Sequence, residues 1–262
     1  MQKEVTKSWA LFIGIGIIMI AHGLQMQLMG IRSVVENFSV VTTGIFMSGY
    51  FTGYFLGSKT TPLLVQKVGH IRVFAAFASL ASLSALLAAV YVNPFMWTLS
   101  RFITGISLVS CYIVTESWLN DRATNKNRGQ LLSAYFIILY TGLGIGMLLL
   151  NVSDPKNYEP FILVSVLLSL ALVPILLTKR SAPKFKKIGT ISVKELFEIS
   201  PLGTVSSFCT GLIHSAFFSL MAVYATKANF TLLETSILLF ISTMAGVVFQ
   251  GPIGYLSDKF DR

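Results

Sequence analysis

Eight stretches of mostly apolar residues divide this chain, at 9–30, 41–65, 73–92, 95–119, 129–151, 159–178, 200–226 and 232–256. Each is near or above the roughly 20 residues that cross a hydrocarbon core. A backbone in lipid must satisfy its own hydrogen bonds, so stretches of this length and number point to a bundle of helices. Composition agrees, since 54% hydrophobic against 12% charged residues, at a mean hydropathy of +0.73, lies outside the range of water-soluble domains. The expected class is all-α, a polytopic membrane protein.

Lysine and arginine orient the spans, because short cytoplasmic loops collect them. With the N-terminus inside, that side holds Lys3, Lys7, Lys67, Arg72, Arg122, Lys126, Arg128, Lys179, Arg180, Lys184, Lys186, Lys187, Lys194, Lys259 and Arg262, against Arg32, Lys156 and Lys227 outside. Fifteen against three places both ends of the chain in the cytoplasm. The net charge of +9 then follows from topology and from attraction to anionic lipid headgroups, and calls for no nucleic acid. The first span is too long for a signal peptide, and no small-x-small cleavage site follows it. Cys111 and Cys209 both fall within spans, with neither a disulfide framework nor a metal-ligand spacing, and no cofactor is expected. Sequons at Asn37, Asn151 and Asn229 fall in or beside the outward loops.

The chain repeats itself. Gly254-Tyr-Leu-Ser-Asp258-Lys259-Phe-Asp-Arg262 echoes Pro62-Leu-Leu-Val-Gln66-Lys67-Val-Gly69-His-Ile-Arg72 at an offset of 192 residues (258 − 66). Without a gap, the same offset aligns His22 with His214, Asn37-Phe38-Ser39 with Asn229-Phe230-Thr231, Thr43 with Thr235 and Ile45 with Ile237. Equal loop lengths through two helices argue that one group of helices descends from the other. The expected organisation is a six-helix group over 1–178, a basic cytoplasmic linker over 179–199, and the first two helices of a second group over 200–262. Within the linker, 191–199 has the pattern of a short amphipathic surface helix.

Polar residues inside spans face the bundle interior or a wet path. Arg101, about two turns inside the fourth span, costs about 2.5–3.5 kcal/mol there and should meet a cavity or a carboxylate. His22 and His214, at matching depth in the first and seventh spans, should face one another across a central path, where an imidazole can carry a proton. Gln25, one turn from His22, is expected on the same face. Glu116, near the inner end of the fourth span, is expected to latch onto the basic loop containing Lys67 and Arg72. Gly53 and Gly57, with Gly142, Gly144 and Gly146, read as surfaces of close helix approach. Gly53-Tyr-Phe-Leu-Gly57-Ser-Lys59-Thr fails as a phosphate-binding loop on spacing and on its place in an apolar helix, and Lys59 is expected to snorkel to the inner surface.

These residues resemble the major facilitator superfamily, twelve-helix transporters made of two six-helix halves. The Gly254–Arg262 cluster is similar to the family's Gly-x-Leu-x-Asp-Arg-x-Gly-Arg loop, with Lys259 for Arg and Asp261 for Gly. The first copy is more degenerate: Gln66 replaces the Asp, while Lys67, Gly69 and Arg72 are kept. Arg101 and Gly105 match the family's Arg-x-x-x-Gly pattern, and Asp121 with Arg128-Gly129 resembles its acid-to-Arg-Gly spacing. Gly142-Leu-Gly-Ile-Gly146-Met147 lacks the Pro expected of drug/proton exporters, which weakens an export reading. Ser48-Gly-Tyr-Phe-Thr-Gly53, Glu116-Ser117 and Arg128-Gly-Gln-Leu-Leu-Ser-Ala-Tyr135 are similar to the YcaD-like branch.

The resemblance implies a helical bundle with about eight of twelve helices present in this sequence. It implies a secondary transporter, symporter or antiporter, in the cell inner or plasma membrane, moving a small solute by alternating access with a coupling proton and working as a monomer. The cavity set is then His22, Gln25, Arg101 and His214. The inner gate is Lys67, Gly69, Arg72, Glu116, Asp121, Arg128, Gly254, Asp258 and Lys259. The alternative class is a sensor or scaffold that keeps the fold without transport, which an added soluble domain would mark. An integral-membrane enzyme would need a constellation such as His-x4-Asp or His-Glu-x-x-His, and neither occurs in the sequence.

Overall fold

The computed structural model describes residues 9–124, 128–178 and 192–259, the side chains of Gln130 and 250–259 excepted. Among the described residues ten α-helices follow one another: α1 Trp9–Val35, α2 Val40–Val68, α3 His70–Val90, α4 Pro94–Arg122, α5 Arg128–Leu148, α6 Glu159–Leu170, α7 Leu172–Leu176, α8 Val193–Ile199, α9 Pro201–Lys227 and α10 Leu232–Lys259. A single 3₁₀ turn, Leu149–Asn151, extends α5. The described residues contain no strand.

Seven of the expected spans, with α6 and α7 taken as one, are long and apolar enough to cross a membrane. The exception is α2, which has 29 residues but is diluted by Thr42, Thr43, Ser48, Thr52, Ser58, Lys59, Thr60 and Thr61. The sixth span breaks at Ala171 because Pro174 has no N–H to offer the Leu170 carbonyl.

Glycines decide how the helices meet. A Cβ on Gly53 would run into the Phe102 carbonyl, and one on Gly105 into the Tyr50 carbonyl, so α2 and α4 lie backbone to backbone. The contacts advance together, from Gly49 at Thr98 to Thr61 at Ser110, whose hydroxyls lie 2.6 Å apart, so these two helices run parallel. Helices α1 and α5 do the same, Gly142 against Gly16 and Gly146 against Ile20. Gly144 instead receives Phe240 and Met244 of α10. Close approach through small residues is how helices associate where lipid supplies no hydrophobic drive.

Helix α1 is central, packed by α5, α6 and α9, with all but a few of its residues from Ala10 to Ser33 buried. At its outer end Arg32 pairs with Glu36 at 2.6 Å and donates to the Pro155 carbonyl at 3.1 Å and to that of Lys156. The α6 side is tied to α3 by hydroxyls, Ser82 meeting Ser165 at 2.7 Å and Ser169 at 3.0 Å.

The 192-residue repeat is also a repeat of backbone. Helices α1 and α9 end at Val35 and Lys227, and α2 and α10 begin at Val40 and Leu232, positions that correspond under the offset. Both corners turn through an asparagine in the left-handed region, Asn37 at φ 58 and Asn229 at φ 62. Their bonds correspond one for one: Asn37 N–H to Val34 O and Phe38 N–H to Ser33 O, against Asn229 N–H to Thr226 O and Phe230 N–H to Ala225 O. Each following helix is N-capped by the aligned hydroxyl, Ser39 accepting from Thr42 N–H and Thr231 from Glu234 N–H.

Of the expected linker, 179–191 lie outside the described residues; the surface-helix pattern is α8, which starts two residues later than expected and is exposed throughout. It opens with a capping box between Ser192 and Glu195. Ser192 N–H donates to the Glu195 carboxylate at 2.7 Å while Ser192 Oγ accepts from Glu195 N–H at 3.2 Å, and the bonds from Ser192 hold the Glu195 carboxyl below the usual carboxylate range.

Candidate functional site

Helices α1, α2, α4, α5 and α9 enclose a cavity of about 1060 Å³. Their registers determine what faces it. On α1 the 3.6-residue period brings Met19, His22 and Met26 to one side, and on α2 it brings Tyr50 and Tyr54. Tyr112 and Glu116, one turn apart, come from α4; Tyr135, Leu139 and Tyr140 come from α5. The α9 wall is different in kind, with Ser206, Ser207, Thr210, Ser215 and His214 beside Phe208 and Phe218.

Aromatic rings run in a ladder through this space. His22 stacks on Tyr50 at 5.3 Å and 19°, Tyr50 lies 6.1 Å from Tyr54, and Tyr54 lies 6.4 Å from Tyr112. The Tyr112 hydroxyl donates to the Met19 sulfur at 3.0 Å, and the Tyr135 hydroxyl donates to the Glu116 carboxylate at 3.2 Å. His214 lies against Phe218 at 4.3 Å. Five tyrosines thus give an apolar-walled cavity a polar inner edge.

His22 and His214 line the same cavity. Gln25 does not, which corrects the expectation that it shares the His22 face. Three residues advance a helix by about 300°, leaving Gln25 roughly 60° off that face, and it is buried against α4, where its amide donates to Thr104 Oγ1 at 3.4 Å. Thr104 is in turn bonded to Ser84 at 2.8 Å, so Gln25 belongs to a hydroxyl network between α1, α3 and α4. Met26, a full turn on from His22, takes the cavity position.

Arg101 is completely buried and meets no carboxylate; the ion pairs among the described residues are Arg32–Glu36 and Lys194–Glu198. Its guanidinium lies over the Tyr50 ring at 4.8 Å, one ring away from the cavity rather than in its wall. A buried Arg does not snorkel, and here it cannot: Gly49 and Gly105 draw α2 onto α4 across it.

The expected inner-gate residues are dispersed. Glu116 faces the cavity and Tyr135, and among the described residues no ion pair joins it to Lys67 or Arg72. Helix position explains the difference, since Glu116 is one turn from Tyr112 on the cavity face of α4. Lys67 is exposed on the last turn of α2, and Arg72 is exposed on the first turn of α3. Between them Gly69, at φ 87, makes the turn that a side chain would strain, its N–H closing α2 on Val65 O. His70 Nε2 lies 3.1 Å from the Ser117 hydroxyl and ties this corner to α4. Asp121 and Arg128 stand at the facing ends of α4 and α5. Gly254, Asp258 and Lys259 fall on the last turns of α10, where side chains lie outside the described residues.

The tyrosines and Met19 were not singled out from sequence. Their signal was present in the spacing: counting by three and four from His22 reaches Met19 and Met26, and counting by four from Glu116 reaches Tyr112.

A sequence profile of the Major Facilitator Superfamily matches residues 11–262. The chain is 26% identical over 229 residues to an uncharacterized MFS-type transporter YcaD of Escherichia fergusonii, covering 87% of this chain and 60% of that protein. It is 26% identical over 231 residues to the protein of the same description from Escherichia coli, with the same coverage. The chain therefore spans about 60% of the length of the curated relatives it matches.

Proposed function

Because the chain belongs to the major facilitator superfamily, we propose that it forms part of a secondary transporter that carries a small solute through the cavity between its two helix groups by alternating access. The observation that carries this reading is the cavity wall itself, contributed by α1, α2, α4 and α5 from the first group and by α9, the repeat of α1, from the second. A site at the junction of two repeats is where rocking of one group against the other changes access from side to side. Residues 1–178 are the first half in this reading, 179–199 the linker and 200–262 the start of the second half, with both ends of the chain cytoplasmic in a bacterial inner membrane.

Besides the five tyrosines, the titratable side chains among the described residues that face the cavity are His22, His214 and Glu116. We propose that a proton carried among them couples transport, and that Lys67, Arg72, Asp121, Arg128, Asp258 and Lys259 form the inner gate. Reconstitution in liposomes tests coupling: solute flux should follow an imposed pH gradient in the native protein and lose that dependence in His22→Gln or Glu116→Gln. Flux indifferent to the gradient in the native protein would remove proton coupling while leaving transport.

A further inference from the structure

The cavity has a positive charge behind its wall that the protein does not neutralise. Arg101 is fully buried, and among the described residues no acceptor lies within hydrogen-bond reach of its Nε, Nη1 or Nη2. Among the described residues its guanidinium lies on the face of Tyr50, with the guanidinium carbon 4.8 Å from the ring centroid. A cation over an aromatic ring is compensated only in part, because the ring offers a quadrupole and not a charge. Glu116, the carboxylate in the cavity wall, lies about four turns farther along α4, roughly 22 Å away at 1.5 Å per residue. At that distance it cannot serve as the counter-ion.

Tyr50 joins the two environments. It lines the cavity, stacks on His22 and also covers Arg101. The opposite ends of its ring contacts are therefore solute space and an unmet planar fork of N–H donors, a fork whose geometry matches a carboxylate bidentately. The rest of the nearby wall is apolar or aromatic: Met19, Met26, Phe51 and Tyr54.

We propose that the solute is an organic anion, with one carboxylate on an aromatic or otherwise apolar body, and that displacement of the Tyr50 ring lets this carboxylate pair with Arg101. This assignment rests on the transporter reading of the same cavity. The anion supplies the acceptors that the protein withholds, and Tyr50 shields the guanidinium when the solute is absent. A cationic solute gains nothing at this position and meets a like charge.

Three probes that share one body and differ in charge test the proposal: 4-phenylbutyrate, 4-phenylbutanol and 4-phenylbutylamine. In thermal unfolding of the full-length protein in detergent, the acid should raise the melting temperature by several degrees, with apparent affinity about tenfold or more above the other two, the scale of one charge-assisted pair. In Arg101→Gln the acid should fall to the level of the alcohol, and in Arg101→Lys it should keep part of its advantage. Modification of Arg101 by phenylglyoxal, read by mass spectrometry, should be slow in the native protein, fast in Tyr50→Ala and suppressed by the acid. The native protein decides the matter even if a variant fails to fold. Equal stabilisation by all three probes, none by the acid, or an acid advantage retained in Arg101→Gln overturns the proposal. Equal stabilisation leaves the cavity as a solute site and removes only the anion, whereas the transporter reading is judged by access from the two sides of the membrane.

Discussion

Arg101 and the glycines around it show how single positions set the site. Gly105 and Gly53 allow α2 and α4 to touch, and that contact seals Arg101 from water and lipid alike. Gly105→Val should therefore cost about 1–3 kcal/mol or prevent assembly, because the obstacle is the Tyr50 carbonyl and not a movable side chain. Size-exclusion recovery and thermal unfolding measure this; an unchanged profile would contradict the packing. Arg101→Met should stabilise the unliganded protein by up to about 2.5–3.5 kcal/mol, since it removes a charge that costs that much within a span. A loss of stability would mean that the guanidinium holds the fold together. His22, His214 and Arg101 were legible in the sequence as polar groups in apolar helices. Gln25 carried the same signal, yet a rotation of about 60° sends it into a hydroxyl network instead. Glu116 looked like a loop-facing residue because its end of the span is basic, whereas its register with Tyr112 turns it inward.

Among the elements, the corner between a group's first two helices is the feature that sequence and backbone describe in the same terms. Asn37 and Asn229 adopt positive φ in matching hydrogen-bonded turns, and the following helices start on aligned hydroxyl caps. The left-handed conformation costs ordinary side chains about 1–2 kcal/mol. Asn37→Gly and Asn229→Gly should accordingly leave thermal stability nearly unchanged, whereas the corresponding Val substitutions should each lower it by about that amount. Different responses at the two corners would mean that their likeness is only local geometry. The span boundaries were legible from apolar length, because helix ends coincide with turn residues and caps. The exception in composition, α2, shows the limit of that signal: its hydroxyls bond back to its own carbonyls, as Thr52 does to Ser48 at 3.1 Å and Thr60 to Leu56 at 3.1 Å, so a helix can hold polar residues without exposing unmet groups. The break in the sixth span needed only Pro174 to be anticipated.

At the scale of the molecule, helices α1, α2, α4, α5 and α9 line a cavity whose walls differ. Helices α1, α2 and α4 contribute a ladder of rings from His22 to Tyr112, and α9 contributes hydroxyls and His214. Such a division suits a solute with an apolar body that must be released again, since neither wall alone supplies a complete set of contacts. The central claim is that this cavity opens alternately to the two sides. A single cysteine at Ser207, on the α9 wall, tests it most directly in protein whose Cys111 and Cys209 have been replaced by Ala. Membrane-impermeant maleimide is applied to one side or the other of oriented vesicles, with and without 4-phenylbutyrate or a pH gradient. The account predicts labelling from both sides, with the ratio of the two rates shifting in opposite directions as the condition changes. Labelling from one side alone under every condition would contradict it.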